Sequence, residues 1–232
     1  MWNAEQTLHA LADDPLSNAG LLQVLRRGTG ELLRAEPAGV LLRDTVSGIY
    51  LLGGIHGAEA RNWVRRRLAG ILMIVGNEVP APQVRADWNA SWIVECDQYI
   101  YEGNCPAEPT KLRIAEATPA EMECIAANYD ILSRTELDQV AAHRALFAGH
   151  DAAGNTVGFA GGHLEGSMGI LKILPAYRRE GYATELERFV IRRFMKDKLI
   201  PFGQVETNNA ASAALQRKLG LTKAPQRAYW IG

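Results

Sequence analysis

The stretch from Ile170 to Leu186 constrains the fold more than any other. Met168 to Leu174 is apolar and rich in β-branched residues, as a strand requires. It stops at Pro175, which cannot donate to a sheet ladder. A polar turn follows with Arg178, Arg179 and Glu180. Beyond Gly181, residues Tyr182, Leu186, Phe189, Val190 and Phe194 fall at helical spacing and form one apolar stripe. The unit is therefore strand, turn, helix, with a glycine at the helix entrance. A helix start leaves several backbone N–H groups without intrahelical partners, and the helix dipole adds partial positive charge. Anionic groups such as phosphate bind in such places. Gly181 lets a diphosphate approach the backbone with no Cβ in the way. An ordinary β-to-α connection has the same outline, so this physics leaves both readings open.

Arg178-x-x-Gly181-x-Ala183, preceded by Ile173 to Tyr177, resembles the acyl-CoA pyrophosphate loop of the GNAT superfamily of N-acetyltransferases. A second stretch, from Asn209 through Ser212, Gln216 and Lys218 to Gly220 and Leu221, resembles the family's second CoA element. There an Asn opens a helix that closes on Lys-x-Gly. The resemblance spans roughly Lys111 to Gly232. It implies a mixed, largely antiparallel sheet flanked by helices, in the α/β (α+β) class. It also implies transfer of an acetyl group from acetyl-CoA, as co-substrate and without a metal, to a primary amine. The backbones of Leu171 and Ile173 would pair with the pantetheine arm. The N–H groups of Arg179, Glu180, Gly181, Tyr182, Ala183 and Thr184 would take the pyrophosphate, with Arg178 in the motif's first position. Lys172 either assists by charge or is simply solvated.

One departure matters. The family's usual acid is a Tyr on the helix after the Asn, and that position is Gln216 here. Glutamine donates hydrogen bonds but is not an acid. Either the thiolate leaves without much help, since a thiol has a pKa of about 8.5, or Ser212 one turn earlier contacts the sulfur. Gln216 and Ser212 are thus both expected beside the cofactor. For the base that the attacking amine needs, His163 and Glu165 precede the strand, and a solvated hairpin tip is the competing reading for both. Glu206 is a third candidate.

With 25 Lys and Arg against 26 Asp and Glu, the net charge is −1. No general basic field is available for nucleic acid. The three cysteines, Cys96, Cys105 and Cys124, have no metal-ligand spacing. They fit reduced thiols in the cytoplasm better than a disulfide framework. No apolar run approaches the ~18 residues of a membrane span, and the polar start lacks the apolar core of a secretion signal.

The 232 residues allow one large or two small domains. In order, the pattern gives helices at 5–11 and 17–27, with Ser17 as cap. Strands follow at 31–35, 40–44 and 49–52. Then come a glycine-rich loop at Gly53 to Gly57, a helix at 58–68, and strands at 71–75 and 91–101. Residues 103–109 read as a linker. The second half gives a strand at 112–116, a helix opened by the capping box Thr118 to Glu121, a helix from Thr135, and a hairpin at 146–150 and 156–161. After the loop come a strand at 202–206, a helix at 209–219 and a last strand at 228–231. Each half reads as two helices, three strands, a helix and a strand. The halves, 1–105 and 110–232, are therefore expected to be tandem, the first a diverged or accessory copy, as in the glycine N-acyltransferase-like branch of the superfamily. The expected acceptor is a small-molecule amine. A protein or peptide amine, or a catalytically weak acyl-CoA sensor, is the alternative. Neither nucleic acid nor membrane is an expected partner, and the chain is expected to act as a monomer or homodimer.

Overall fold

A computed structural model describes residues 2–54, 63, 70–76, 86 and 88–232. The predicted helix at 58–68 and the end of the glycine-rich loop fall largely outside those residues. The chain forms two compact units. One comprises Met1–Ile100, Phe202–Ala213 and Thr222–Gly232, and the other Tyr101–Pro201 and Ala214–Leu221. Each carries a mixed or antiparallel sheet with helices against it.

The first unit opens with α1 (Ala4–Leu11), capped by Asn3 in a reciprocal box with Gln6, and α2 (Ala19–Arg26). Its strands are β1 (Gly30–Glu36), β2 (Gly39–Asp44), β3 (Tyr50–Gly53), β4 (Leu72–Gly76), β5 (Ile93–Ile100), β10 (Phe202–Glu206) and β11 (Thr222–Ile231). They lie in the order β1-β2-β3-β4-β11-β5-β10. Among the described residues of these strands, β3 and β4 pair parallel, and β1 with β2, β2 with β3, β4 with β11, β11 with β5 and β5 with β10 pair antiparallel. The chain's last strand thus sits between β4 and β5. Leu21, Leu22, Leu51, Leu52, Met73, Tyr99, Phe202 and Tyr229 fill the core. Gln98 is buried among them and fully used. Its amide donates to the carbonyls of Leu16 and Ser17, and its oxygen accepts from Gln204. A buried polar side chain is tolerated only on such terms.

Three sequence expectations need correction here. Ser17 does not cap α2. Asn18 holds that position, and the Ser17 hydroxyl instead accepts from the Gln226 N–H at 3.3 Å. The last strand starts at Thr222, not Ala228. Its charges look loop-like in sequence, yet Lys223 pairs with Asp97 and Arg227 with Glu95 across the ladder to β5. Finally, Gly53 and Gly54 serve packing. A Cβ on Gly53 would stand 2.8 Å from Leu21 Cδ1, and Gly54 N donates to Asn18 Oδ1 at 3.1 Å.

The second unit holds β6 (Arg113–Glu116), β7 (Leu146–His150), β8 (Thr156–Gly162) and β9 (Met168–Ile173), an antiparallel meander. Before β7 come α3 (Pro119–Asn128) and α4 (Arg134–Ala142). The Thr118 capping box with Glu121 is present as expected. The next helix starts one residue early, because Ser133 caps it in a box with Glu136. Met122, Ile125, Tyr129, Leu137 and Val140 pack on Leu146, Phe159 and Ile170. After β9, α5 (Tyr182–Lys196) lies on β8 and β9 and buries Leu186, Val190, Ile191 and Phe194. α6 (Ala210–Lys218) spans the boundary between the units in sequence. Among the described residues, no helix is long and apolar enough to cross a membrane.

Candidate active site

The loop forms because the chain must leave β9 and enter α5 within a few residues. Pro175 to Tyr177 make a single 3-10 turn. Arg178 Nε donates to the Ile173 carbonyl at 3.3 Å, tying the turn to the strand end. Arg179 (φ +68°) and Gly181 (φ +85°) are both left-handed. Left-handed residues so close together turn successive N–H groups toward one side, an anion-binding concavity. Gly181 is the N-cap of α5 and supplies no side-chain acceptor. Thr184 N, expected to face the pyrophosphate, instead donates to the Gly181 carbonyl at 3.1 Å, which leaves the N–H groups of Tyr182 and Ala183 for another partner. Within 4 Å of the place where a Cβ would stand on Gly181, the only other group among the described residues is Lys111 Nζ, at 3.5 Å. The approach over that glycine is open, as a diphosphate would need.

Upstream of the loop, β9 contains a feature that sequence reading missed. Phe159 pairs with Lys172 and Gly161 with Gly169, so Ile170 and Leu171 together face Ala160. This is a β-bulge. Ile170 sits at φ +55°, a genuine outlier for a β-branched residue. Such strain persists only where the surroundings hold it, and it concentrates at functional sites. Here Ile170 is buried in the same core cluster as Tyr129. Burial pushes the Tyr129 hydroxyl up to about 12, and the Glu165 carboxylate reinforces the shift. Leu171 and Ile173 lie half-buried along the same strand.

Glu165 is not on a solvated hairpin tip. It is 7% exposed, and the buried Ser167 hydroxyl donates to its Oε1. His163 N donates to the Ser167 carbonyl, and Gly166 N to the His163 carbonyl, so the tip folds inward. The His163 imidazole covers Gly169, where any Cβ would collide with Nε2. The structure thus brings Tyr129, His163, Glu165, Ser167 and the Ile170 bulge to the start of the strand whose other end feeds the loop.

Residues 158–231 match the FR47-like protein family. That span begins on β8 and contains β9, the loop, α5 and α6. No curated protein matches the chain. A solved Drosophila protein is similar in fold, with a TM-score of 0.70 at 12% identity over 98% of this chain and 95% of that one. A putative acetyltransferase of the GNAT family from Novosphingobium aromaticivorans has a TM-score of 0.60 at 18% identity, over 95% and 97% of the two chains. A GCN5-related N-acetyltransferase-like protein from Streptococcus suis has 0.56 at 12%, over 99% of each. The fold matches that of these GNAT N-acetyltransferase neighbours.

The second element lies on α6. Asn209 opens the helix, its Oδ1 accepting from Ser212 N at 3.0 Å. Gln216, expected beside the cofactor, is only 7% exposed, and its Nε2 donates to Glu187 Oε1 at 3.2 Å. Its Oε1 is buried and finds no hydrogen-bond partner among the described residues. Glu187 is 4% exposed, and burial raises its carboxyl to about 7 against the single opposing bond from Gln216. Sequence reading passed over Glu187, though the signal was there. It stands at i, i+3, i+4 and i+7 with Val190, Ile191 and Phe194, inside the apolar stripe. Glu206 ends β10 opposite Cys96. Burial, helped by the Glu206, Asp97 and Glu95 carboxylates, pushes the Cys96 thiol up to about 12. That thiol stays protonated and is no nucleophile. Among the described residues, no group of three or more His, Cys, Asp and Glu is placed to hold a metal ion.

Proposed function

We propose that this chain transfers an acetyl group from acetyl-CoA to a primary amine, and that the amine belongs to a small molecule. The observation that carries the reading is the paired left-handed geometry of Arg179 and Gly181 at an uncapped helix start. It lies within the residues that match the FR47-like family. Acetyl-CoA supplies the activated thioester. The N–H groups of residues 179–183 bind its diphosphate, and the backbone of β9 at Leu171 and Ile173 aligns its pantetheine arm. Glu165 accepts the proton that the amine loses on attack. Tyr129 and Ser167 position it. His163 shields the start of the strand.

Mass spectrometry of products formed from acetyl-CoA and a pool of metabolite amines tests the reading. Glu165→Gln keeps a hydrogen-bond acceptor for Ser167 but cannot take a proton. It should lower kcat by about a hundredfold and leave the KM for acetyl-CoA unchanged. Undiminished turnover would remove Glu165 from the mechanism. A sensor that binds acetyl-CoA without turnover is the second reading. It is favoured by Gln216, which stands where an acid is expected and is buried. Binding without product in any amine pool would establish it.

The first half is a diverged copy in this reading. Support comes from the sheet of the first unit, where β4 and β5 of the first half alternate with β11 and β10 of the second in the order β4-β11-β5-β10. Such an arrangement results when two copies exchange their last strands. Because Gly53 and Gly54 are committed to packing against α2, calorimetric titration should give one acetyl-CoA per chain. A stoichiometry near two would make the first half a working site.

A further inference from the structure

The anion loop has a cation that its own motif does not contain. Lys111 lies before β6, far from the loop in sequence, yet its Nζ donates to the Glu180 carbonyl at 3.0 Å. The same Nζ stands 3.5 Å from the place where a Cβ on Gly181 would be. This is not a loose surface lysine that happens to be near. The buried Glu185 carboxylate, in the first turn of α5, accepts from Thr110 N at 2.6 Å and from Lys111 N at 3.1 Å. The short strap of 110–111 is thereby bolted to the helix that bears the loop. Only the side chain beyond that anchor remains exposed.

We propose that Lys111 is a binding residue of the cofactor site, meeting the diphosphate of acetyl-CoA beside Gly181 together with the loop N–H groups. This rests on the acyl-CoA reading of the loop. An ammonium has three donors, and the Glu180 carbonyl uses one, which leaves two for phosphate oxygens. Arg178, the motif's own cation, spends its Nε on the Ile173 carbonyl. The nearest carboxylate in the first turn, Glu185, already accepts two backbone N–H groups, so its charge is partly met within the protein. The ammonium then adds its donors to those of the loop. The anchor also fixes the lysine backbone before the ligand arrives, which lowers the ordering cost of binding.

The test compares the unmodified chain with Lys111→Gln and Lys111→Arg, titrated calorimetrically with acetyl-CoA and with its 3′-dephospho analogue. Melting of each ligand-free variant confirms that the fold is kept. Lys111→Gln should raise the Kd for both ligands by about tenfold, the scale of one charge-assisted hydrogen bond. Its affinity should also depend less on salt than that of the unmodified chain. Lys111→Arg should restore most of the loss. Equal affinities in Lys111→Gln and the unmodified chain would overturn the proposal. A loss confined to acetyl-CoA, sparing the dephospho analogue, would also overturn it, because the lysine would then be meeting the 3′-phosphate. Failure of the unmodified chain to bind either ligand is a separate result, and it would overturn the acyl-CoA reading itself.

Discussion

Replacing Gly181 by glutamate should abolish acetyl-CoA binding, with a loss of at least about a hundredfold in affinity from a negative charge set against a diphosphate at close range. Two effects combine. Gly181 is left-handed at φ +85°, where an L side chain costs about 1–2 kcal/mol. The Cβ of the new side chain would also stand 3.5 Å from Lys111 Nζ. Its carboxylate would neutralise the Lys111 ammonium beside that glycine and occupy the diphosphate's approach. Gly181→Ala separates the two effects, because it carries the strain without the charge. It should lower the melting temperature by about 2–8 °C for a chain of this size and retain measurable binding. Calorimetry with acetyl-CoA decides the matter. An unchanged affinity in Gly181→Glu would remove the loop from cofactor binding.

What the sequence made visible, and what it hid, follows from the range of the physics involved. The strand, turn and helix of 168–196 were legible because local chemistry dictates them. Pro175 ends the ladder, Gly181 admits the left-handed turn, and the apolar stripe repeats at helical spacing. The Thr118 box was legible for the same reason. Ile170 was not. Its residue type argues for a regular strand, and the bulge appears only in the pairing with β8. Lys111 reaches the loop through a carboxylate in α5 that sequence cannot connect to it. Glu165 read as solvated because carboxylates at hairpin tips mostly are. Burial became visible only with the Ser167 hydroxyl in place. The insertion of β11 between β4 and β5 is likewise set by tertiary pairing and by ion pairs such as Lys223 with Asp97.

The buried pair of Glu187 and Gln216 gives the chain a pH dependence whose sign can be worked out. Burial holds the Glu187 carboxyl at about 7 in the folded state, against 4.5 for an unperturbed glutamate. The folded chain therefore binds the proton more tightly than the unfolded one. Stability is fully present below the unfolded value, falls as pH rises toward 7, and levels off once both states are ionised. Between pH 5 and 8 the loss is about 2–3 kcal/mol. In the protonated form, the acid group can donate to Gln216 Oε1 while Gln216 Nε2 donates back, which satisfies the oxygen that otherwise has no partner. Above pH 7 the same pocket holds an unpaired anion, the costlier arrangement. Glu187→Gln replaces the acid by an amide, which can make both bonds at every pH. The variant should match the unmodified chain near pH 5 and exceed it by about 2–3 kcal/mol at pH 8. Urea unfolding at the two pH values measures the difference directly. If the gap between variant and parent is the same at both, the carboxyl does not titrate in this range, and the pair contributes no pH dependence.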